Sequence, residues 1–176
     1  RMLSFTLLGQ VVLLQEGVAL SKFRSQKEAA LLIYLAQTGQ TQQRDFLADL
    51  LWESSSPKQG LTNLRTAISR LRKQVGDALL VTRKTLALAP EHVDFVDTAV
   101  LQQALNNIST IANKNQADAV QQALVTYQGE FLTSFSLPDT SQFNDWITIT
   151  REQIHRQVIA AYDKLAQYAR THKDTE

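Results

Sequence analysis

The chain has 176 residues, of which 44% are hydrophobic and 20% are charged, a balance typical of a folded globular protein. It contains no cysteine, which excludes disulfides, thiolate metal sites and cysteine nucleophiles. No apolar run approaches the roughly 18 residues that a membrane span needs, and no signal-peptide pattern is present. We therefore expect a cytoplasmic protein with no membrane partner.

The net charge of +1 hides an asymmetry between the two halves of the chain. Residues 1–92 contain 12 Lys and Arg against 7 Asp and Glu, whereas residues 93–176 contain 6 against 10. A basic half followed by an acidic half indicates two modules with different partners.

Three short strands are predicted first, over residues 3–9, 11–14 and 18–20, because apolar and polar residues alternate around glycines. A helix follows from Ser25, since Glu28 three residues later completes a capping box. A second helix is predicted over residues 44–52. The residues of this second helix expected to point inward are Phe46, Leu47, Leu50 and Leu51.

The segment 57–76 predicts a third helix, with Pro57 near its start and Gly76 at its end. One stripe of it is apolar: Leu61, Leu64, Ile68, Leu71 and Val75. Its charged residues are all basic: Arg65, Arg70, Arg72 and Lys73. Such a helix buries one face and presents a cationic face that suits a polyanion, although an ordinary solvated helix surface explains the same pattern.

The position of this helix in the chain favours a role in DNA binding. Two short strands follow it, over 79–81 and 86–89, and three helices closed by a hairpin make a winged helix-turn-helix. In that fold the third helix enters the major groove of DNA. The competing interpretation is a small α+β domain without a nucleic-acid role.

A helical wheel selects the candidate DNA contacts of the third helix. Residues that point away from the core or flank that direction are expected to face bases or adjacent phosphates: Thr62, Arg65, Thr66, Ser69 and Arg70. Lys73 is assigned to phosphate. Arg72 either faces DNA or pairs with an acid of its own domain.

Beyond Pro90 the pattern is wholly helical, so we place the domain boundary at residue 92. Helices are predicted from Asp97 as a cap, from about Gln116, and over 141–171. They resemble an incomplete helical-repeat array, which predicts a truncated domain of a longer protein. Apolar helices without a terminal cap favour self-association or docking of a missing C-terminal region. Trp52 and Trp146 are expected to pack in the core.

Three segments of the chain together resemble the SARP-type bacterial transcriptional regulators. They are Leu47–Trp52, Leu64–Lys73 and Tyr127–Leu132 continuing through Trp146 to Glu152. The resemblance implies an α+β fold, with an OmpR-like winged-helix DNA-binding domain (residues 1–92) followed by an all-α, TPR-like bacterial transcriptional activator domain (residues 93–176). It also implies an activator that binds double-stranded promoter DNA. The loop 53–58 is a candidate contact for RNA polymerase, which such loops face in OmpR-like proteins.

Two positions depart from the family pattern. Gln43 stands where the second helix usually begins with Ser or Thr, so Thr41 is the candidate replacement cap. The hairpin turn reads Thr82-Arg83-Lys84-Thr85 in place of a Gly-Tyr pair, which predicts a short or irregular wing. Arg83 and Lys84 on this turn, and Arg44 at the start of the second helix, complete the predicted DNA contacts.

Motifs for catalysis are lacking in the sequence. The three histidines are scattered, and neither a nucleophile elbow nor a phosphate-binding loop is present. We therefore expect no enzymatic activity, no cofactor and no metal site. The alternative function is a protein-interaction scaffold in which the winged helix does not bind DNA.

Overall fold

The computed structural model describes residues 2–173, which contain seven strands and six α-helices. The strands are β1 (Leu3–Thr6), β2 (Val12–Gln15), β3 (Val18–Ala19), β4 (Gln42–Gln43), β5 (Leu79–Val81), β6 (Thr85–Leu88) and β7 (Val93–Val96). The helices are α1 (Gln26–Thr38), α2 (Arg44–Leu51), α3 (Pro57–Val75), α4 (Asp97–Asn106), α5 (Lys114–Val125) and α6 (Ser141–Lys173). The mixture of strands and helices agrees with the predicted α+β class.

The first sheet has the strand order β3-β2-β1-β7. Its first three strands form the predicted antiparallel sheet, and β7 adds parallel to β1, with Phe5 opposite Val96. The expectation of an all-helical chain beyond Pro90 was therefore wrong at residues 93–96. This strand has only four residues, and its Val93 and Phe95 side chains are only half-buried. Such a short pattern is too weak to predict a strand.

The predicted capping signals of the first and third helices are confirmed. Ser25 and Glu28 form both bonds of a capping box, and α1 ends at Gly39 in the left-handed conformation (φ 62°). At the start of α3 the Ser56 side chain accepts a hydrogen bond from the backbone N–H of Gln59, and Pro57 is the first helical residue. The apolar stripe of α3 is buried as expected, apart from half-buried Leu61.

The second sheet, β4-β6-β5, joins the hairpin after α3 to the segment before α2. Gln42 and Gln43 pair with Leu86 and Thr85 of β6. This strand was missed because two glutamines carry no apolar signal. It fixes the hairpin beside the start of α2.

Phe46 does not point into the core as predicted. Its side chain is 37% exposed, whereas Leu47, Leu50 and Leu51 are buried. The ring lies 6.1 Å from that of Tyr34, at the edge of the aromatic cluster described below. The eight-residue α2 has a narrow buried face, and Phe46 lies at its margin.

Asp97 is not the cap of α4 as predicted, because Val96 occupies the N-cap position. The Asp97 carboxylate is buried and accepts hydrogen bonds from the backbone N–H groups of Leu7 and Leu8 at 2.9–3.0 Å, and from that of Thr98 at 2.8 Å. Burial raises its pKa, and these backbone bonds oppose that rise. Asp97 thus joins the start of the helical half to the end of β1.

An aromatic cluster fills the space between α1 and α6. The Trp146 ring lies 4.7 Å from Tyr34, 5.4 Å from Phe143 and 5.7 Å from Phe131. Trp146 therefore packs in the core, as predicted. Trp52 packs against the core while half-buried, with the Lys27 ammonium 5.5 Å from its ring centre.

The segment before α6 also contacts the first sheet. Gly9 donates to the Glu130 carbonyl at 2.9 Å, and Leu132 donates to the Leu7 carbonyl at 2.8 Å. A Cβ on Gly129 would lie 2.8 Å from Cα of Gly9, so the two backbones can approach this closely only because residue 129 is a glycine.

Candidate nucleic-acid interface

The predicted contact face of α3 is open to solvent. Thr62, Arg65, Thr66, Ser69 and Lys73 are exposed, and Arg70 is half-buried. Because the opposite face is buried against α1 and α2, the helix can offer these side chains to a partner without losing its packing.

A groove between α3 and the hairpin is lined by four cationic side chains. Its lining consists of Arg44, Arg65, Ile68, Ser69, Arg72, Lys73 and Val81. We call this the wing-side groove. Four of the predicted contacts meet there, together with Arg72, and no acidic residue lines it.

The cations of the wing-side groove are not neutralised by the protein itself. Among residues 2–173, Arg65, Arg72 and Lys73 take part in neither an ion pair nor a side-chain hydrogen bond. Of the two alternatives for Arg72, contact with DNA or pairing with an acid of its own domain, the second is not found among the described residues. Clustered, unpaired guanidinium groups are the donors best suited to phosphate and to the guanine edge.

Arg44 connects the groove to the hairpin turn. Its Nη1 donates to the Thr82 carbonyl at 3.0 Å, and its backbone N–H donates to the Lys84 carbonyl at 2.8 Å. The Gln43 side chain makes no capping bond, and Thr41 is exposed, so the hairpin satisfies the first donor of α2 in place of a side-chain cap. Sequence reasoning missed this arrangement, because the partners lie about forty residues apart.

The hairpin turn is short and is closed by threonine hydroxyls. The Thr82 hydroxyl oxygen accepts from the backbone N–H of Lys84 at 3.3 Å and of Thr85 at 2.9 Å. It also shares a hydrogen bond of 2.6 Å with the Thr85 hydroxyl. This turn needs no glycine, and it leaves the side chains of Arg83 and Lys84 exposed at its tip.

Two further predicted contacts, Thr66 and Arg70, lie on the other flank of α3. Thr66 and Arg70 line a second groove with Asn63, Lys27 and Trp52. The predicted set is therefore divided between two flanks of one helix. The Thr62 hydroxyl donates to the Lys58 carbonyl at 3.1 Å, and the Thr66 hydroxyl to the Thr62 carbonyl at 3.2 Å. Because both hydroxyl hydrogens are used in these bonds, the two oxygens can only accept hydrogen bonds from a partner unless the bonds break.

The loop between α2 and α3 contacts the start of α6. The Glu53 carboxylate accepts from the Ser141 backbone N–H at 2.8 Å and from the Ser141 hydroxyl at 2.6 Å. These bonds hold the pKa of Glu53 below its usual range. The predicted polymerase-facing loop is thus anchored at Glu53, a contact that no sequence signal revealed.

Two other features, a metal site and a membrane-spanning helix, are absent from the described residues. Within residues 2–173 no group of three or more His, Asp or Glu side chains lies close enough together to hold a metal ion. No helix in that range is long and apolar enough to cross a membrane.

Curated proteins and a solved structure are similar to the chain, whereas no protein-family model matches it. The regulatory protein AfsR of Streptomyces coelicolor is 30% identical over 141 residues, covering 77% of this chain and 14% of that protein. AfsR of Streptomyces griseus is 38% identical over 80 residues, covering 46% of this chain and 8% of that protein. The chain thus spans about one seventh or less of the length of these relatives.

One structural neighbour is EmbR of Mycobacterium tuberculosis, solved in complex with a low-affinity phosphopeptide. It aligns with a TM-score of 0.61 at 20% identity, over 91% of this chain and 43% of that one. At this identity the match shows a shared fold, that of a protein with a winged helix and a helical domain. The AfsR matches show that the chain is similar in sequence to regulatory proteins of the SARP type.

Proposed function

We propose that the chain is the DNA-binding and activator region of a transcriptional activator that reads promoter DNA with α3 in the major groove. In this proposal residues 1–92 form an OmpR-like winged-helix domain. Residues 93–176 form a TPR-like activator domain. The protein acts in the cytoplasm without a cofactor.

The observation that carries the proposal is the wing-side groove. It brings Arg44, Arg65, Arg72 and Lys73 together on one side of an exposed helix, and no acid lines it. A helix fits the major groove, which is about 12 Å wide, and a good bidentate arginine–guanine pair is worth about 1–3 kcal/mol of discrimination.

The positions of the predicted residues along α3 and at the hairpin suggest different tasks for them. Arg65, Ser69 and Arg70 lie along the exposed face and are assigned to base edges, with the hydroxyl oxygens of Thr62 and Thr66 as acceptors. Lys73 follows at the carboxyl end of the helix and is assigned to phosphate. Arg44, Arg83 and Lys84 surround the hairpin turn, where a wing contacts the DNA backbone.

Two places on the molecule are proposed to bind protein partners, the α2–α3 loop and the exposed apolar side chains of α5 and α6. RNA polymerase is one proposed partner of the α2–α3 loop, of which Ser54, Ser56 and Pro57 remain exposed beside the anchored Glu53. Self-association, or docking of a region beyond residue 176, is proposed for the apolar side chains that α5 and α6 leave exposed, such as Val125 and Tyr162.

The proposal is tested by a mobility-shift assay with a duplex from upstream of the protein's own gene and an unrelated duplex of equal length. We expect tighter binding to the upstream duplex, and a fall in affinity with salt of about 0.9 log units per log unit for each phosphate neutralised. Arg72→Ala should weaken binding, while Lys114→Ala, an exposed lysine at the start of α5, serves as the matched control.

The competing function is a protein-interaction scaffold. The apolar side chains of Ile149, Ile159 and Tyr162 on α6, each about half exposed, favour it because such surface needs a partner. If neither duplex is retarded even at low salt, the scaffold replaces the activator.

A further inference from the structure

We propose that the loop between β3 and α1 forms a second phosphate-binding site beside α3, made by Lys22, Lys73 and the side-chain amide of Gln15. The inference deepens the proposed function and rests on it, because the phosphate is that of a DNA backbone bound along α3. It extends the DNA contact to the amino-terminal sheet, outside the helix-turn-helix and the hairpin.

The site is a groove at the carboxyl end of α3, on the flank away from the hairpin. Its lining consists of Gln15, Val18, Ala19, Leu20, Ser21, Lys22, Lys73 and Gln74. The only charged members are the two lysines, and neither forms an ion pair within residues 2–173. An anion is the ligand that this lining suits.

Gln15 supplies an independent sign of a missing acceptor. Its side-chain Nε2 is buried and has no hydrogen-bond partner among the described residues. Leaving a buried donor unpaired destabilises a protein, so such groups are normally satisfied. A phosphate oxygen bound in the groove would accept this hydrogen bond, and the two lysines that line the same groove would balance the phosphate charge.

The loop is held in place before any ligand arrives. The side-chain Nε2 of Gln74, in the last turn of α3, donates to the Lys22 carbonyl at 2.9 Å. This bond ties the backbone of Lys22 to the same turn that presents Lys73. Less ordering is therefore needed when the anion binds.

Lys73 makes this site continuous with the wing-side groove, since it lines both. From Arg65 to Lys73 the helix rises about 12 Å, which corresponds to between three and four base steps at 3.4 Å each. A polyanion bound in the wing-side groove can therefore extend through Lys73 to Lys22.

The neighbouring acid does not occupy the groove. Glu16 follows Gln15 in the chain, but its Oε1 accepts from the backbone N–H of Met2 at 2.7 Å, and Glu16 does not line the groove. Asp77 is exposed beyond the end of α3 and is also absent from the lining.

The test compares Lys22→Ala, Gln15→Leu and the control Lys114→Ala in DNA affinity over a range of salt, with the upstream and the unrelated duplex. Because one phosphate contact is lost, the DNA affinity of Lys22→Ala should fall by about 5-fold at physiological salt. The slope of its log–log dependence on salt should become less steep by about 0.9. Both duplexes should be affected equally, because phosphate carries no sequence information.

Gln15→Leu separates a binding role from a structural one. It removes an unpaired buried donor, so its melting temperature should stay the same or rise while DNA affinity falls. The second site is overturned if Lys22→Ala and Gln15→Leu bind like Lys114→Ala while Arg65→Ala is weakened, a result that leaves the proposed function intact. Failure of the unmodified protein to bind either duplex would overturn both.

Discussion

Arg151 and Arg65 show how differently the two regions of this molecule use the same side chain. At the junction between the sheet and α6, the Arg151 guanidinium donates to the carbonyls of Phe131 and Leu132 at 3.0 and 3.2 Å and lies 3.8 Å from the Glu130 carboxylate. On α3, Arg65 is exposed and has no such partner among the described residues.

This contrast extends to the other polar groups of the two regions. At the junction Asp97 and Glu53 accept several hydrogen bonds each from residues far away in the chain. On α3, Arg65, Arg72 and Lys73 lie in an open groove with no acid. Charges that build the fold are satisfied internally, whereas charges left unsatisfied in a cluster are available to a partner. Substitutions should therefore affect stability at the junction and binding at α3.

The largest expected loss of stability is that of Asp97→Ala. The backbone N–H groups of Leu7, Leu8 and Thr98 would lose their acceptor inside the protein, so the free energy of unfolding should fall by about 3 kcal/mol. Urea denaturation measures it. Asp94→Ala, on an exposed neighbour, is the control and should change stability by less than about 0.5 kcal/mol. Equal stability of the two variants would mean that Asp97 does not join the two regions.

Gly129→Ala should have the next largest effect. The new Cβ would lie 2.8 Å from Cα of Gly9, which is backbone and cannot move aside without shifting β1. Such overpacking costs about 2 kcal/mol, measurable by thermal or urea denaturation. Gln128→Ala, exposed and adjacent, should be nearly neutral. If Gly129→Ala were equally neutral, the close approach of the two glycines would not exist in solution.

Ser141→Ala should have a smaller effect that depends on pH. The Ser141 hydrogen bonds lower the pKa of Glu53, so their stabilisation is present above the ordinary glutamate pKa and is lost as pH falls through the lowered value. The melting temperature of Ser141→Ala should therefore lie below that of the unmodified protein at neutral pH and converge with it in acid. Ser136→Ala, on an exposed serine, is the control. A difference that persists unchanged in acid would argue against the Glu53 contact.

Local signals made much of the amino-terminal half predictable. The capping box of Ser25 and Glu28, and the Pro57 and Gly76 that bound α3, act within a few residues, so the sequence alone shows them. The exposed contact face of α3 follows from the same short-range periodicity.

Long-range contacts could not be predicted in this way. Strand β7, the Asp97 bonds to β1 and the Glu53–Ser141 contact each join residues about 88–90 positions apart. The division of the α3 face into two grooves also depends on which elements flank it. The sequence predicts Arg44 as a DNA contact at the start of α2, and only the folded hairpin shows that it also anchors the Thr82 turn.

Arg65→Ala and Arg70→Ala test the DNA-binding role of α3 most directly. Each variant is measured for DNA affinity toward the upstream duplex and for melting temperature on the same sample. We expect both variants to bind more weakly, by about 1–3 kcal/mol where a base contact is lost, with melting temperatures almost unchanged. Affinity equal to that of the unmodified protein in both variants would remove this face of α3 from the DNA interface and contradict the central claim.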